Sequence, residues 1–319
     1  MKVAIIGAGN VGATLAYTLL VRDIVTRVSL IDVSREKAVG EVLDLAHGAS
    51  YLENPEIRAE GYEGVADADV IVLAAGRGRK PGESRLDLAR GNAAITEEIL
   101  ADMAPHYRGA VVIVVANPVD VLTYVTVRRL AAPSSKIIGS GTSLDSSRFR
   151  YLLGQEFGID PRSIHADVIG EHGDSSVLAW SMASLGQIPV TRYAPPGGVP
   201  LDAAARERIH QSVVMAGKEV IQRKGATFYA VALSVARIVE AVLHDEKSVL
   251  TVSTYVERFG EIADVCLSMP AVVGRDGVRE VLPIVLDDEE RRQLAASAVG
   301  LREIIAQLGY SDRVDDRRV

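Results

Sequence analysis

The N-terminal stretch constrains the fold more than any other part of the sequence. The β-branched run Lys2–Ile6 breaks into the glycine-rich turn GAGNVG, residues 7–12, and residues 13–21 then have the apolar content of a buried helix. A strand, a glycine turn and a helix in this order are typical of the unit that opens a doubly wound parallel sheet. The chain is therefore predicted to begin with such a sheet.

Three glycines and one acidic residue fit this unit to a dinucleotide. Gly7 permits the tight turn, Gly9 lets the backbone approach a pyrophosphate, and Gly12 allows the helix to pack closely on the strand. A second strand, Arg27–Ile31, is followed by Asp32, where a carboxylate can accept hydrogen bonds from an adenosine ribose. Because Asp32 would repel a 2′-phosphate, the pattern favours NAD over NADP. A structural glycine turn without a cofactor is the alternative.

Strands and helices alternate through the first half of the chain, and the pattern then changes. Continuous apolar runs at 69–73 and 110–115 suit parallel strands that are covered on both faces. We predict an α/β fold in which a doubly wound parallel sheet forms an NAD-binding domain over residues 1–141 and a mixed α/β substrate domain follows over 142–319. The elements predicted for the second domain include helices over 202–223, 227–243 and 287–308 and strands at 249–253, 265–269 and 279–285.

Composition excludes several classes of partner. The chain has 319 residues, 48% of them hydrophobic, and a formal net charge of −7. Because no segment is rich in Lys and Arg, we expect neither nucleic acid nor an anionic membrane as a partner. No apolar run approaches the ~20 residues that span a bilayer. The single cysteine, Cys266, cannot form an intrachain disulfide, which fits a cytoplasmic location. We predict no metal site.

A histidine lies in a second glycine-bounded turn, IGEHGDSS, residues 169–176. Glycines at 170 and 173 let the backbone turn sharply and expose the His172 ring to a cleft, where an imidazole can exchange protons near neutral pH. A loop histidine that only solvates a turn is the alternative, because one histidine fixes no chemistry without an orienting partner and a substrate anchor.

Candidate partners for this histidine occur in the helical segment LDSSRFR. Asp145 and Arg148 are three residues apart and share a helix face. We predict that Asp145 orients His172 and that Arg148 binds a substrate carboxylate with two nitrogens. A weak surface ion pair between the two is the alternative.

Polar residues also follow the strands of the first half, where doubly wound sheets bind their ligands. Residues 69–73 lead into a loop in which Arg79 and Arg85 can bring positive charge over an anionic substrate. Residues 110–115 lead to Asn117, which can donate to a carbonyl or accept from a ribose. A solvated basic loop and an ordinary turn before proline are the alternatives.

Five motifs together indicate a family. GAGNVG, RKPGESR, VANPVD, GSGTSLDSSRFR and IGEHGDSS occur in the order found in the L-lactate/L-malate dehydrogenase superfamily, which the chain resembles over nearly its whole length. The resemblance implies a Rossmann domain followed by a mixed α/β domain. It also implies an NAD-dependent oxidoreductase that interconverts 2-keto acids and L-2-hydroxy acids, and a homo-oligomer, either a dimer or a tetramer.

The resemblance further implies roles for the motif residues. His172 is expected to donate and accept the proton, with Asp145 as its carboxylate partner, and Arg85 is expected to polarise the reacting carbonyl. Arg148 is expected to anchor the substrate carboxylate. The expected cofactor-binding residues are Gly7, Gly9, Asn10, Val11, Gly12, Asp32, Asn117 and Ser140, and the expected substrate-binding residues are Arg79, Arg148, Asn117 and Thr227.

Within the superfamily, the motifs favour two different substrates. Thr227 and Glu83 match lactate dehydrogenases, whereas Arg79 matches malate dehydrogenases at a position where the lactate enzymes normally hold glutamine. A guanidinium pairs with the second carboxylate of oxaloacetate, but it would be buried unpaired against the methyl group of pyruvate, which is unfavourable. We therefore expect oxaloacetate and L-malate as substrates. The alternatives are pyruvate and L-lactate, and, more remotely, a non-catalytic NAD-binding sensor.

Two further residues match positions at which allosteric bacterial lactate dehydrogenases bind fructose 1,6-bisphosphate between subunits. These are Arg150 and His165, both of which can carry positive charge toward a phosphate. We therefore predict an anion site, vestigial or working, at a dimer interface. A solvated helix face is the alternative.

Overall fold

The computed structural model describes residues 1–80 and 82–310. Pro81, in the predicted NAD-binding domain, and residues 311–319, at the end of the predicted substrate domain, lie outside the described residues. None of the described helices is long and apolar enough to cross a membrane. The eight described helices, α1 to α8 in chain order, are Asn10–Val21, Arg35–His47, Arg85–Met103, Val119–Arg129, Ser143–Phe157, Ala203–Lys224, Tyr229–Leu243 and Asp288–Gln307. The fourteen described strands, β1 to β14, are Lys2–Ile6, Arg27–Ile31, Glu56–Ala59, Val70–Leu73, Val111–Val114, Ile137–Gly139, Ile164–His165, Val168–Ile169, Val177–Leu178, Ser184–Leu185, Ile188–Pro189, Ser248–Phe259, Ile262–Gly274 and Gly277–Val281.

Nine of these strands form one sheet in the order β14-β13-β12-β6-β5-β4-β1-β2-β3. Strands β1 to β6 pair in parallel, and the strand order reverses between β1 and β4. Ligands of doubly wound sheets bind at such a reversal, outside the carboxyl ends of the strands. The predicted α/β fold with a doubly wound parallel sheet is confirmed.

Separate hydrophobic cores lie on the two faces of this sheet. Helices α3, α4 and α8 pack on one face, where Met103, Tyr124 and Leu301 are buried. Helices α1 and α7 pack on the other face through residues such as Leu15 and Val235. Burial on both sides explains why β4 and β5 are apolar at every position, VIVL and VVIV.

The long strands of the second half extend this sheet. Strand β12 joins β6 through one antiparallel pair, Ser253 and Gly139, and β13 and β14 follow at the edge. The apolar runs at 249–253 and 265–269 predict only the middle of the β12–β13 hairpin, because antiparallel strands carry polar residues wherever one face is exposed. The boundary between residues 141 and 142 remains a prediction.

A third core lies beyond the edge of the large sheet. Helices α5 and α6 enclose Phe149, Leu153 and Ile209 against two small sheets, β7-β10-β11 and β8-β9. This core supports β8, the strand that leads into the predicted histidine turn. The mixed second half therefore has its own buried apolar centre.

A helix cap decides where α3 begins, and Arg85 is the first residue of that helix. Ser84 Oγ accepts a hydrogen bond from the Asp87 N–H at 3.1 Å, and Asp87 Oδ2 accepts one from the Ser84 N–H at 3.2 Å. This reciprocal capping box satisfies backbone donors that would otherwise lack partners. It fixes the point at which the arginine-rich loop ends, and with it the position of Arg85.

Candidate active site

The His172 turn is held in place by backbone hydrogen bonds to β13. Gly170 and Ser268 exchange two N–H to C=O bonds of 2.9 Å each. Gly170 has a φ of +84°, a left-handed conformation that favours glycine. The next N–H, that of Glu171, donates to Ser297 Oγ at 2.9 Å. These hydrogen bonds fix the backbone of the turn directly after the end of β8.

Helix α5 brings the predicted carboxylate to the histidine. His172 Nδ1 lies 2.5 Å from Asp145 Oδ2, and Asp145 is buried. Burial would lower the pKa of His172, but the Asp145 carboxylate outweighs this effect, and the pKa is raised above its ordinary value. Burial would likewise raise the pKa of Asp145, yet the imidazole and Arg148 hold that pKa below its usual value. The pair therefore favours imidazolium beside carboxylate.

Arg148 lies on the same face of α5 as Asp145, as predicted. Its Nη1 donates to Asp145 Oδ1 at 2.7 Å, so one carboxylate contacts both the histidine and the arginine. The Arg148 side chain is only 18% exposed, which does not fit a solvated surface pair. Because this contact uses one nitrogen of a planar fork, the guanidinium retains donors for an anionic ligand.

A small cavity lies beside the histidine at the carboxyl ends of β5 and β6. Asn117 and Ser140, which follow different strands, are thereby brought together with His172. Thr227 is half-buried between α6 and α7 and is not among the described lining residues. The cavity is lined by Val115, Asn117, Ser140, Gly141, Leu144, His172, Val231, Ser234 and Val235. An imidazole, an amide and hydroxyls beside apolar walls suit a small polar molecule.

Arg85 lies next to the histidine turn but is bound to carboxylates of that turn. Its Nη1 lies 3.6 Å from Glu171 Oε1, and its Nη2 forms a close ion pair with Asp174. The Arg85 side chain is about half exposed. A role at a reacting carbonyl therefore requires Arg85 to exchange these partners for a substrate.

The loop before α3 contains a second arginine that binds Glu83. Arg77 Nη1 donates to Glu83 Oε2 at 2.7 Å, and Arg77 Nη2 contacts the other carboxylate oxygen. These hydrogen bonds hold the pKa of Glu83 down at about 2. Arg79 is exposed, and its Nε donates to the backbone oxygen of Glu83 at 2.7 Å. Among the described residues, Arg79 forms no ion pair, so the Glu83 charge is neutralised by Arg77.

The glycine turn after β1 leaves room for a phosphate-bearing ligand. Gly9 precedes α1, no side chain caps this helix, and its first turn has no acidic residue. A Cβ at Gly9 would meet only Lys37 Nζ, at 4.0 Å, whereas a Cβ at Gly12 would strike the Gly7 carbonyl. Backbone N–H groups at a helix start attract anions. The turn thus fits the pyrophosphate of a dinucleotide, with Asn10 and Val11 in the first turn of the helix.

Asp32 occupies the predicted ribose position beside this turn. Its Oδ2 accepts a hydrogen bond from the Ala8 N–H at 2.7 Å, and its Oδ1 accepts one from the Ser34 N–H at 2.9 Å. These bonds fix the carboxylate at the carboxyl end of β2. Each carboxylate oxygen can accept more than one hydrogen bond, so Asp32 can still accept from ribose hydroxyls.

Arg150 and His165 do not line a common cavity among the described ones. Arg150 lines a surface cavity with Arg162 and Arg237, whereas His165 is exposed in β7 and is not among the described lining residues. Arg162 and Arg237 already pair with carboxylates of their own neighbourhood. Of these three arginines, only Arg150 forms no ion pair among the described residues, so its charge is left for an anion.

Sequence reasoning missed two buried residues that hold the site together. Asp120 Oδ2 accepts a hydrogen bond from the His172 N–H at 2.7 Å. Asn92 donates to the backbone oxygens of Arg77 at 3.0 Å and Asn117 at 2.6 Å. Asp120 carried a signal, because it is an acidic residue just after a strand end in the motif VANPVD. Asn92 carried none, because nothing in its helical neighbourhood indicates which loop it contacts.

Comparison with known proteins matches both halves of the chain to one family. Residues 1–139 match "lactate/malate dehydrogenase, NAD binding domain", and residues 142–309 match "lactate/malate dehydrogenase, alpha/beta C-terminal domain". Two L-lactate dehydrogenases are similar in sequence. That of Acetivibrio thermocellus is 44% identical over 96% of this chain and 97% of the relative, and that of a Synechococcus species is 43% identical over 97% and 100%.

Solved structures agree with these matches. The minor L-lactate dehydrogenase of Enterococcus mundtii superposes with a TM-score of 0.92 at 37% identity, covering 96% of this chain and 98% of that chain. A lactate dehydrogenase from a Medee basin deep-sea metagenome library superposes with a TM-score of 0.93 at 34% identity, covering 97% and 99%. The similarity therefore extends over the whole site and not over one half alone.

Proposed function

The chain belongs to the lactate/malate dehydrogenase family, and we propose that it is an L-lactate dehydrogenase that interconverts pyruvate and L-lactate. The family acts on 2-keto and 2-hydroxy acids and uses NAD, so the predicted cofactor and reaction class are confirmed. The observation that carries the proposed chemistry is the single carboxylate, Asp145, that contacts both His172 and Arg148 beside the cavity. The choice of pyruvate is supported by the names of the similar proteins.

Three residues have separate roles in the proposed reduction. NADH supplies the hydride when it is bound. His172, held as imidazolium by Asp145, gives its proton to the carbonyl oxygen of the keto acid and takes it back from the hydroxyl in the reverse direction. Arg148 binds the substrate carboxylate and so orients the carbonyl toward the histidine. Arg85, released from Glu171 and Asp174, stabilises the charge that develops on the oxygen.

The similar proteins favour pyruvate over the oxaloacetate that Arg79 led us to expect. Those from Acetivibrio, Thermoanaerobacter and Synechococcus are all named L-lactate dehydrogenase. Glu83 and Thr227 already pointed to the same branch. The expected preference for malate thus rested on one loop residue, whose guanidinium is exposed and lies outside the cavity beside His172. Pyruvate, the alternative of the sequence analysis, becomes the main proposal.

Oxaloacetate remains a second candidate because of the ion pair between Arg77 and Glu83. If Glu83 paired with Arg79, the charge of Arg79 itself would already be neutralised before a second carboxylate arrived. Since Arg77 neutralises Glu83 instead, Arg79 retains its charge for a dicarboxylate when the loop folds over the site.

A side-by-side assay tests the proposal. NADH oxidation is measured with pyruvate and with oxaloacetate, and His172→Ala serves as the control that removes the proton donor. We expect turnover with both acids, a higher kcat/KM for pyruvate, and loss of both activities in the variant. A higher kcat/KM for oxaloacetate would select the second candidate. A parent protein silent with both acids would favour the NAD-binding sensor.

We also propose that the protein assembles as a dimer or tetramer in the cytoplasm. Helices α1 and α7 pack against each other. Support for assembly comes from four large apolar side chains that these two helices leave exposed, Tyr17, Val21, Tyr229 and Leu233. Such a surface is usually covered by another chain. Support for the compartment comes from Cys266, a free and buried thiol. Light scattering after size exclusion gives the mass of the assembly, and a monomer would contradict the first part.

A further inference from the structure

Asp120 is a buried carboxylate at the start of α4, in contact with the histidine turn. It is 2% exposed, and its Oδ2 accepts the His172 N–H at 2.7 Å. Its position in the first turn of a helix gives partial compensation for the charge. None of the roles implied by the sequence motifs was assigned to this residue.

The surroundings of Asp120 leave much of its charge uncompensated. Burial raises the pKa of Asp120 to about 6, against the opposing effects of Ser253 and the His172 N–H. The Ser253 hydroxyl lies near the carboxylate, but Asp120 Oδ1 and Ser253 Oγ are both buried without a partner in hydrogen-bond geometry among the described residues. Glu171 and the Cys266 thiol are the other titratable groups that interact with Asp120.

The His172 imidazole is influenced from two helices. Asp145 and Arg148 act on it from α5, and Asp120 acts on it from α4. Arg85, on α3, is bound to Glu171 next to the histidine. The negative charges of Asp145 and Asp120 therefore outnumber the positive charge of Arg148 around the imidazole. The charge of Arg85 is already neutralised by its carboxylate partners.

We propose that Asp120 is a positioning residue for His172, which fixes the backbone of the catalytic turn and adds a second negative charge that stabilises the imidazolium. The inference rests on the proposed dehydrogenase function. A neutral asparagine or serine at this place would accept the same N–H without the cost of burying a charge. A carboxylate with one unpartnered oxygen therefore indicates that the charge itself is used, through the histidine.

Replacing Asp120 by asparagine separates the charge from the hydrogen bond. Asp120→Asn keeps an oxygen that accepts the His172 N–H and removes the negative charge. We expect the pH at which kcat/KM for pyruvate reduction falls on the alkaline side to move down by about one unit. We expect the imidazole resonance of His172, followed by NMR with isotope-labelled histidine, to titrate lower by the same amount. His172→Gln identifies that resonance among the six histidines.

The matched control is Asp167→Asn. Asp167 accepts a hydrogen bond from Thr251 Oγ1 at 2.7 Å and is not among the groups that act on His172. The substitution removes one negative charge, as Asp120→Asn does, but at a residue that does not act on His172, so both titrations should stay at their parental pH. If Asp120→Asn does not fold, Asp120→Ser provides a smaller neutral acceptor for the same two measurements.

The outcomes distinguish this inference from the proposed function. Unchanged pH values in both measurements, in a folded Asp120→Asn protein, would overturn the role of the charge. A parent inactive with pyruvate and oxaloacetate would refute the dehydrogenase proposal, while the NMR titration would still show whether Asp120 sets the protonation of His172. A shift in Asp167→Asn equal to that in Asp120→Asn would show a general charge effect and would also overturn the inference.

Discussion

His172 Nδ1 lies 2.5 Å from Asp145 Oδ2, and this contact decides which ring nitrogen does the chemistry. A carboxylate that accepts from Nδ1 leaves Nε2 as the nitrogen that can exchange a proton with a ligand. The same carboxylate holds Arg148 through its other oxygen. Proton transfer and carboxylate binding are therefore positioned by one buried side chain.

Asp145→Asn should reduce kcat/KM for keto-acid reduction by about 10²- to 10⁴-fold, because the imidazolium loses its stabilising charge and its fixed orientation. Steady-state kinetics with pyruvate and NADH measure the loss. Asp160→Asn, which removes a carboxylate paired with Arg162 on the surface, should leave the activity unchanged. Near-parental activity in Asp145→Asn would contradict the assigned pair.

The two directions of the reaction should depend on pH in opposite ways. Reduction requires the imidazolium form of His172, and oxidation requires the neutral form. The pKa of His172 is raised above its ordinary value of about 6.5. As pH rises through that raised pKa, kcat/KM for pyruvate should fall and kcat/KM for L-lactate should rise. Parallel pH profiles in the two directions would rule out His172 as the shared acid and base.

Asp120→Asn should stabilise the fold at neutral pH. The folded pKa of about 6 lies above the unfolded value of about 3.9, so the carboxylate is destabilising once it ionises. Its penalty is absent below the unfolded pKa, grows between the two values, and is complete above pH 6. The asparagine should therefore add on the order of 3 kcal/mol to the free energy of unfolding at pH 7 and less at pH 4.5. Urea denaturation at the two pH values checks this, and an equal gain at both would contradict it.

Arg79→Gln should raise the ratio of kcat/KM for pyruvate to kcat/KM for oxaloacetate by at least about tenfold, because a second carboxylate loses its guanidinium partner. The matched control is Lys80→Gln, which removes one positive charge from the neighbouring residue of the same loop. A ratio that changes equally in both variants would show that overall loop charge, and not Arg79, sets the preference.

Arg150 is the residue through which anion regulation can be tested. Substrate saturation curves are recorded with and without fructose 1,6-bisphosphate, phosphate and sulfate. We expect the sugar bisphosphate to lower the KM for the keto acid several-fold in the parent and to have no effect in Arg150→Gln. Arg208→Gln, on α6, is the control. Saturation curves of the parent that do not change with any of the three anions would contradict a regulatory role of Arg150.

The sequence predicts those parts of the fold and site that depend on local patterns. The glycine turn, the apolar runs of β4 and β5, and the motif residues His172, Asp145 and Arg148 all follow from neighbours in the chain. The pairing of Asp145 with His172 also came from the motifs, since the two residues lie in different elements. Helix ends agree closely where caps are strong, as at Asp287 before α8.

Long-range partners could not be predicted in the same way. Whether Arg85 meets a substrate or the carboxylates of Glu171 and Asp174 depends on how the α3 start and the β8 turn are placed in space. The joining of β12 to β6 depends on close contact between Gly139 and Ser253, which are far apart in sequence. Arg77 appeared only as part of a basic loop, because its partner Glu83 is set by the folding of the loop.

The junction of β6 and β12 has a mechanical consequence. A Cβ at Gly139 would come within 2.8 Å of Ser253 Cβ, and one at Gly141 would come within 2.5 Å of the Ser253 nitrogen. The seam between β6 and β12 therefore has no room for a side chain at either glycine, and we expect the two strands to move together. Ser140 lies between these two glycines, so we expect it to keep its position relative to both strands. We therefore expect access to the cavity to depend on the segments around the sheet, such as the connection between α6 and α7, and not on movement at this seam.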